Sequence, residues 1–349
     1  MKDLILKIID ESRFYPSGDN AQPFNFKIED QLLYIKHCEN RALHAFNPHN
    51  VSSKITLGCL LEAIKISASK YNLSFNLELM NDNLDAKLIF SKNNHISPDS
   101  LSHSVHLRKT DRRPYNLNCN LQEIEQIIYS EDHLLKSSVS ILENKNLASL
   151  KSYLIEADKI IWTWSRAFRD IGKTIKFDSK GIIKIGLSTQ NLGLKSSEIF
   201  ATKILVKFPL IYKILNKIGL MSLISKTNTL KSFNSSPAFL LVSMKSNEDL
   251  IQAGRNIYRV WTLLCANGYS LQPMSAAVLT PYCYKIGVAT EFPQYFKDFY
   301  EENINTLANI FHLDKSQVPI FLFRIGKVET VMPKQMEISR IDIEDLIAA

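Results

Sequence analysis

The densest charge in the chain is "RKTDRRPY", residues 108 to 115, where Arg108, Lys109, Arg112 and Arg113 surround Thr110. Guanidinium forks bind phosphate oxygens bidentately and a threonine hydroxyl adds a neutral donor, so the stretch suits a compact anionic group; the plainer reading is a solvated charge run. A second unusual stretch lies upstream. "YPSGDNAQPF", residues 15 to 24, holds two prolines, a glycine, a serine, an asparagine and a glutamine between two aromatics. Such residues build a tight turn, and they also offer backbone and amide partners to a flat polar ring edge without bulky side chains in the way.

Other reactive residues group less well. His103 with His106, and His44 with His49, lack further ligands at zinc spacing, so no metal site is expected. The eleven glycines form neither GxGxxG nor GxxxxGK[ST], there is no GxSxG elbow, and no cysteine has an evident histidine partner. The basic residues are not interleaved with a stacking platform, and no helix-turn-helix or RNP pattern occurs, which argues against nucleic acid. A net charge of +7 still suits an anionic partner, whether a phosphate-bearing ligand or a membrane surface. Five scattered cysteines without a CxxC pair argue against a disulfide framework and for a reducing compartment. The acidic start "MKDLILKIIDESRFYP" has no signal-type apolar stretch, and no run approaches the ~18 apolar residues of a membrane span, so a soluble cytoplasmic protein is expected.

The elements that must position these residues are legible from periodicity. Leu4, Ile5, Ile8 and Ile9 predict a helix over 2–12, and the alternation in "FNFKIED" and "LLYIKHC" predicts a hairpin after the loop. From Ser52, the residues Ile55, Leu57, Leu60, Leu61, Ile64 and Ala68 predict a long core helix ending near Asn72, followed by a strand. The same shape returns in "DLIQAGRNIYRVWTLLCANGYSLQPM" at an offset of about 196 residues, with Gly254 matching Gly58. Glycine in the first turns of both helices lets another helix approach closely. Two related α+β halves follow, joined by the basic segment, a turn at 116–120 and a helix built on Leu121, Ile124, Ile127 and Ile128. The 349 residues, 45% hydrophobic and 22% charged, can bury one large core or two smaller ones. Residues 151–236 fit neither half: they are apolar, rich in lysine, and carry Glu198 as the lone carboxylate between Lys180 and Lys231. The plainer reading is a helical insertion with its lysines in water; a cap over an apolar substrate is a sharper one, and a basic membrane-surface contact through 199–231 is a third that the pattern does not favour.

The loop "PSGDNAQPF" resembles the "PSxxNxQPW" signature of the FMN-dependent nitroreductase family, with Phe24 where tryptophan is commoner. "RKTDRRPYNLNCNLQEIEQII" is similar to the family's "RxSxRxF" start and its following helix, with threonine and tyrosine replacing serine and phenylalanine. "AGRNIYRVWTLLCANGYSLQPM" resembles the long central helix, "FLFRIGKVE" the closing strand and "MPKQMEISRIDIEDLI" the basic tail, though Arg340 sits farther from Lys334 than the pattern leads one to expect. Ordinary members carry the arginine motif first and the Pro-Ser-Asn loop second. This chain reverses the order, so it looks like a fused single-chain pseudo-dimer, with residues 1–105 as one half and 106–349 as the other, 151–236 forming a lid insertion.

The resemblance implies a nitroreductase-like α+β fold in which each half is a mainly antiparallel sheet packed with long core helices. It implies one FMN per monomer. Arg108, Thr110 and Arg112 would hold its phosphate and ribityl or the ring's polar edge, and Pro16, Ser17, Gly18, Asn20 and Gln22 would approach from the other half. Pro273, Met274 and Ser275 would present backbone near the flavin N5, with Lys334 or Arg340 completing phosphate neutralisation. The implied activity is an FMN-dependent oxidoreductase acting on an unidentified small organic substrate. NADH or NADPH is a candidate donor that must stack on the flavin, since no dinucleotide fold is present. FMN storage without turnover, a biosynthetic dehydrogenase and a flavin-cleaving enzyme are the alternatives. No side-chain acid or base is identifiable, and a monomer or a dimer of pseudo-dimers is expected.

Overall fold

Helix α1, Lys2–Ser12, forms because its apolar spacing lets Ile5, Ile8 and Ile9 leave water on one face. The computed structural model describes residues 1–130, 135, 138–145, 147–177 and 183–347. After the Pro-Ser-Asn loop come β1, Phe24–Glu29, and β2, Leu32–His37, an antiparallel hairpin in which Phe26 faces Ile35. The short α2, Glu39–Ala42, leads to α3, Val51–Ser69, which is buried around nearly its whole circumference and therefore sits at the centre of the molecule. It ends three residues before Asn72, whose φ of 52° turns the chain into β3, Leu73–Met80, and then β4, Asp85–Lys92.

The second half opens on α4, Leu121–Tyr129, where the Asn120 side chain caps the helix by accepting from the Glu123 amide, and β5, Val139–Glu143. Next comes the insertion. It contains α5, Ala148–Ala157, α6, Lys159–Thr163, α7, Ser165–Thr174, a two-stranded parallel pair β6, Ile175–Lys176, and β7, Leu187–Ser188, then α8, Ser196–Lys207, α9, Pro209–Lys217, and α10, Leu220–Asn234. The sheet resumes with β8, Ala238–Lys245, followed by α11, Leu250–Ala266, β9, Ser270–Pro273, α12, Ala276–Lys285, and β10, Gln317–Gly326.

Two four-stranded antiparallel sheets result, ordered β1-β2-β4-β3 and β5-β8-β10-β9. Counted within each half, both run first, second, fourth, third, and in both the long helix joins the second strand to the third. These helices, α3 and α11, cross at their glycines: a Cβ on Gly58 would stand 2.9 Å from the Gly254 Cα, and one on Gly254 3.0 Å from the Gly58 Cα. The contact is reciprocal. The Gly58 Cβ would meet the carbonyl of Ile251 and the Gly254 Cβ that of Ile55, positions that share the 196-residue offset. One hydrophobic core, drawing on α1, α3, α11 and both sheets, fills the space between. The C-terminal tail then returns to the first half, where Ile347 bridges Phe26. Among the described residues no helix is long and apolar enough to cross a membrane.

Candidate cofactor site

Three of the four residues from Asp19 to Gln22 adopt left-handed backbone: Asp19 at φ 47°, Asn20 at 57° and Gln22 at 48°. Each such residue costs on the order of 1–2 kcal/mol, so the surroundings must over-determine the loop. Ser17 Oγ accepts from the Gln22 amide at 3.0 Å. The Asn20 side chain is buried, and its Nδ2 donates to the carbonyls of Lys184, Gly186 and Ser339 at 3.1–3.2 Å. Its Oδ1 accepts from Arg340 Nη1 at 2.9 Å and from Gln22 Nε2 at 3.2 Å. The Asn20 amide thus ties the loop to the insertion and the tail and orients an arginine.

The arginines converge from distant segments. Arg108 is buried, donates Nε and Nη2 to the Phe14 carbonyl at 3.2 and 2.9 Å, and lies 4.5 Å from the centre of the Trp261 ring. Arg340 is equally buried, reaches the Tyr15 carbonyl at 3.4 Å, and leaves its Nε without a partner. Arg112 donates to the Asn191 carbonyl at 3.1 Å. Among the described residues none of the three is ion-paired with a carboxylate. Burial pushes all three guanidinium groups down, and for Arg340 the nearby Arg108 cation adds to it, bringing the group to about 9. Unpaired cations this deep are costly unless an anion shares the site.

They line a cavity of about 210 Å³ together with Thr110. Loop residues Pro16, Ser17, Gly18 and Asn20 form one wall, Pro273 and Ser275 another, and Leu187 of the insertion closes a third. Ser17, Gly18, Asp19 and Ser275 also border a second cavity of about 380 Å³, lined further by Arg41, His44, Lys173 and Ile185. At its edge His44 Nε2 lies 3.5 Å from Asp19 Oδ2. His44 Nδ1 accepts the Phe46 amide at 3.1 Å, which places the ring proton of the neutral imidazole on Nε2, an atom without a hydrogen-bond partner.

The remaining expected residues lie elsewhere. Gln22 is buried behind the loop, donating to the Lys184 carbonyl at 2.7 Å and accepting from the Ile341 amide at 3.0 Å. Met274 packs its side chain into the core beneath the second sheet and commits its amide to the Leu322 carbonyl at 2.8 Å. Lys334 is exposed on a short turn of the tail, away from the cavity, because its neighbours Pro333 and Met336 carry the chain along the surface before Arg340 turns in.

Periodicity and motif spacing missed four groups. The Asp19–His44 pair joins a strained loop to residues beyond the hairpin, and nothing in the sequence signals it. Lys184 and Gly186 lend backbone groups to Asn20, two carbonyls and the Gly186 amide, which no residue type advertises. Asn191 bridges the insertion to the tail by donating to the Met336 and Glu337 carbonyls at 3.0 Å. Arg324 lies inside the strand text "FLFRIG", which hides a charge among apolar neighbours; it is buried on β10, donates to Gln272 Oε1 at 2.6 Å and to the Arg113 carbonyl at 3.0 Å, and so fixes the Arg108–Arg113 segment to the sheet.

No family model and no curated protein matches the chain. Among solved structures it is similar to the FMN and NADPH-dependent nitroreductase NfnB from sphigopyxis sp. strain HMH, with 13% identity over 72% of this chain and 98% of that one and a TM-score of 0.34. It is also similar to a nitroreductase-like family protein from Bacillus cereus, with 12% identity over 70% and 93% of the two chains and a TM-score of 0.31. The FMN-dependent nitroreductase NfnB from Mycobacterium smegmatis, solved in complex with NADPH, gives 10% identity over 66% and 90% and a TM-score of 0.31.

Proposed function

We propose that the protein is an FMN-dependent oxidoreductase of nitroreductase type, built as a fused pseudo-dimer with one flavin site and acting on a small organic substrate. The observation that carries the reading is the convergence of three carboxylate-free arginines, Arg108, Arg112 and Arg340, with Thr110 and the Pro16–Asn20 loop on one cavity. Guanidinium groups that form no salt bridge with a carboxylate fit a phosphate, Asp19 and Asp111 acting on Arg112 only at a distance, and a loop rich in small residues fits a flat polar ring. The two cavities together lie in the size range of roughly 300–1,000 Å³ usual for small-molecule and cofactor sites. The common strand order and the reciprocal glycine contact support the fused organisation.

Bound FMN would supply hydride acceptance and donation, with NADH or NADPH as donor. Arg108 and Arg340 would neutralise its phosphate, while Asn20 keeps Arg340 aimed. The larger cavity would admit donor and acceptor in turn. His44 Nε2, which lies 3.5 Å from Asp19 Oδ2 without a hydrogen-bond partner, would deliver a proton to the acceptor there.

Sequestration of FMN is the second reading, favoured by the way Lys184 and Gly186 of the insertion are hydrogen-bonded across the loop. Anaerobic addition of NADPH to the FMN-loaded protein separates the two. Bleaching of the visible flavin bands followed by reoxidation with an organic acceptor is expected of the enzyme; bands that persist would leave storage standing.

A further inference from the structure

The insertion serves the candidate site only through its first part, up to Asn191. Helices α8, α9 and α10 lie beyond it, and there the surface becomes apolar. Seven of the seventeen large apolar side chains exposed among the described residues fall between Phe200 and Leu223, a concentration that a solvated face does not need. Helix α9 is apolar on both sides. Inward, Tyr212 stacks on Phe168 with ring centres 4.4 Å apart and Asn216 donates to the Thr163 carbonyl at 2.9 Å. Outward, Leu210, Ile214 and Ile218, spaced by four residues on one stripe, are 70%, 54% and 71% exposed. Phe200 on α8, Phe208 at the α8–α9 joint and Leu223 on α10 extend the apolar surface.

The charges that these helices carry beyond Glu198 are of one sign, with Glu156 of α5 the carboxylate that acts on Lys226 from outside them. Lys207, Lys213, Lys217 and Lys226 are exposed, and no aspartate or glutamate occurs between Glu198 and Glu248. We infer that α8–α10 dock the protein peripherally onto an anionic lipid surface, with the apolar stripe at the acyl boundary and the lysines at the headgroups. Lipid accepts any apolar shape, and lysine stems can lie along the stripe while their ammonium groups reach phosphate. A second copy would bring an identical lysine-rich stripe, Lys207, Lys213 and Lys217, against this one, and the like charges oppose that occupant. Since no helix among the described residues can span a bilayer, the contact is interfacial. This inference stands apart from the flavin reading.

The test is flotation of the full chain with vesicles of phosphatidylcholine alone and of phosphatidylcholine mixed with phosphatidylglycerol. Wild type should float with the anionic vesicles and be released by high salt. Lys213→Glu/Lys217→Glu and Leu210→Ser/Ile218→Ser, both confined to exposed positions, should lower the bound fraction roughly tenfold or more while circular dichroism is unchanged. Absence of flotation, or equal flotation of wild type and both variants, would overturn the inference. So would a concentration-dependent dimer in sedimentation velocity that Leu210→Ser/Ile218→Ser dissolves, because the stripe would then be a contact between copies.

Discussion

Gly58 and Gly254 meet at the crossing of α3 and α11 so closely that a Cβ on either would stand within 3.0 Å of the other's Cα. Backbone cannot rotate out of the way as a side chain can. Gly58→Ala is therefore expected to destabilise the fold by about 1–3 kcal/mol or more, despite alanine's better helix propensity. The urea midpoint measures this. An unchanged midpoint would mean the two helices separate freely, and the cavity walls they carry, Ile55 and Cys59 on one and Ile257 and Trp261 on the other, would not be fixed by the crossing.

The crossing was legible because glycine in an otherwise apolar helix is a conspicuous choice, and it occurred twice at one offset. The hairpin, α1 and α4 were legible for the same kind of reason: their side chains repeat at the period of the backbone. At the site, Arg108, Thr110 and Arg112 stand two residues apart and could be read as a unit, as could Pro16 to Asn20. What could not be read is direction. Asn20 has the amide expected of a ring partner, yet its three donor contacts all go to carbonyls of the insertion and the tail, which lie more than 160 positions away in sequence. Met274 follows Pro273 directly but faces the opposite side of the strand, as alternation requires.

Asn20→Leu should accordingly act on closure. It removes the donor to Lys184, Gly186 and Ser339 and the acceptor for Arg340, and it places a branched side chain on left-handed backbone at φ 57°. The expected cost is about 1–3 kcal/mol for the unsatisfied groups, with faster proteolysis near 183–187 and faster FMN release. Limited digestion and stopped-flow release measure both; a variant nicked and released at wild-type rates would exclude the Asn20 amide as the tie.

Asp158, at the junction of α5 and α6, is pushed up to about 6 by burial, opposed only by the hydrogen bond from Thr229 Oγ1 at 2.9 Å. Its folded value exceeds the unfolded one of 3.8, so the folded state holds the proton longer. The carboxyl therefore imposes no penalty below the unfolded value, and stability is lost as pH rises from about 4 through 6, by on the order of 2–3 kcal/mol in full. Asp158→Asn should remove that loss and be the more stable form above pH ~7, with little difference near pH 4. Urea midpoints of both proteins across this range decide it. Parallel curves would show that Asp158 titrates normally.

The central claim is that Arg108, Arg112 and Arg340 hold the phosphate of a single FMN within one chain. Its most direct test is titration of the apoprotein with FMN, followed by flavin fluorescence quenching, with sedimentation velocity reporting the mass of the complex. The account predicts saturation at one equivalent per chain without any requirement for a second subunit. It also predicts that Arg108→Ala and Arg340→Ala each weaken binding by roughly 1.5–3 kcal/mol, the worth of a charge-assisted hydrogen bond, while riboflavin affinity changes little. Failure to bind FMN, or equal affinity in wild type and both variants at unchanged stability, would contradict it.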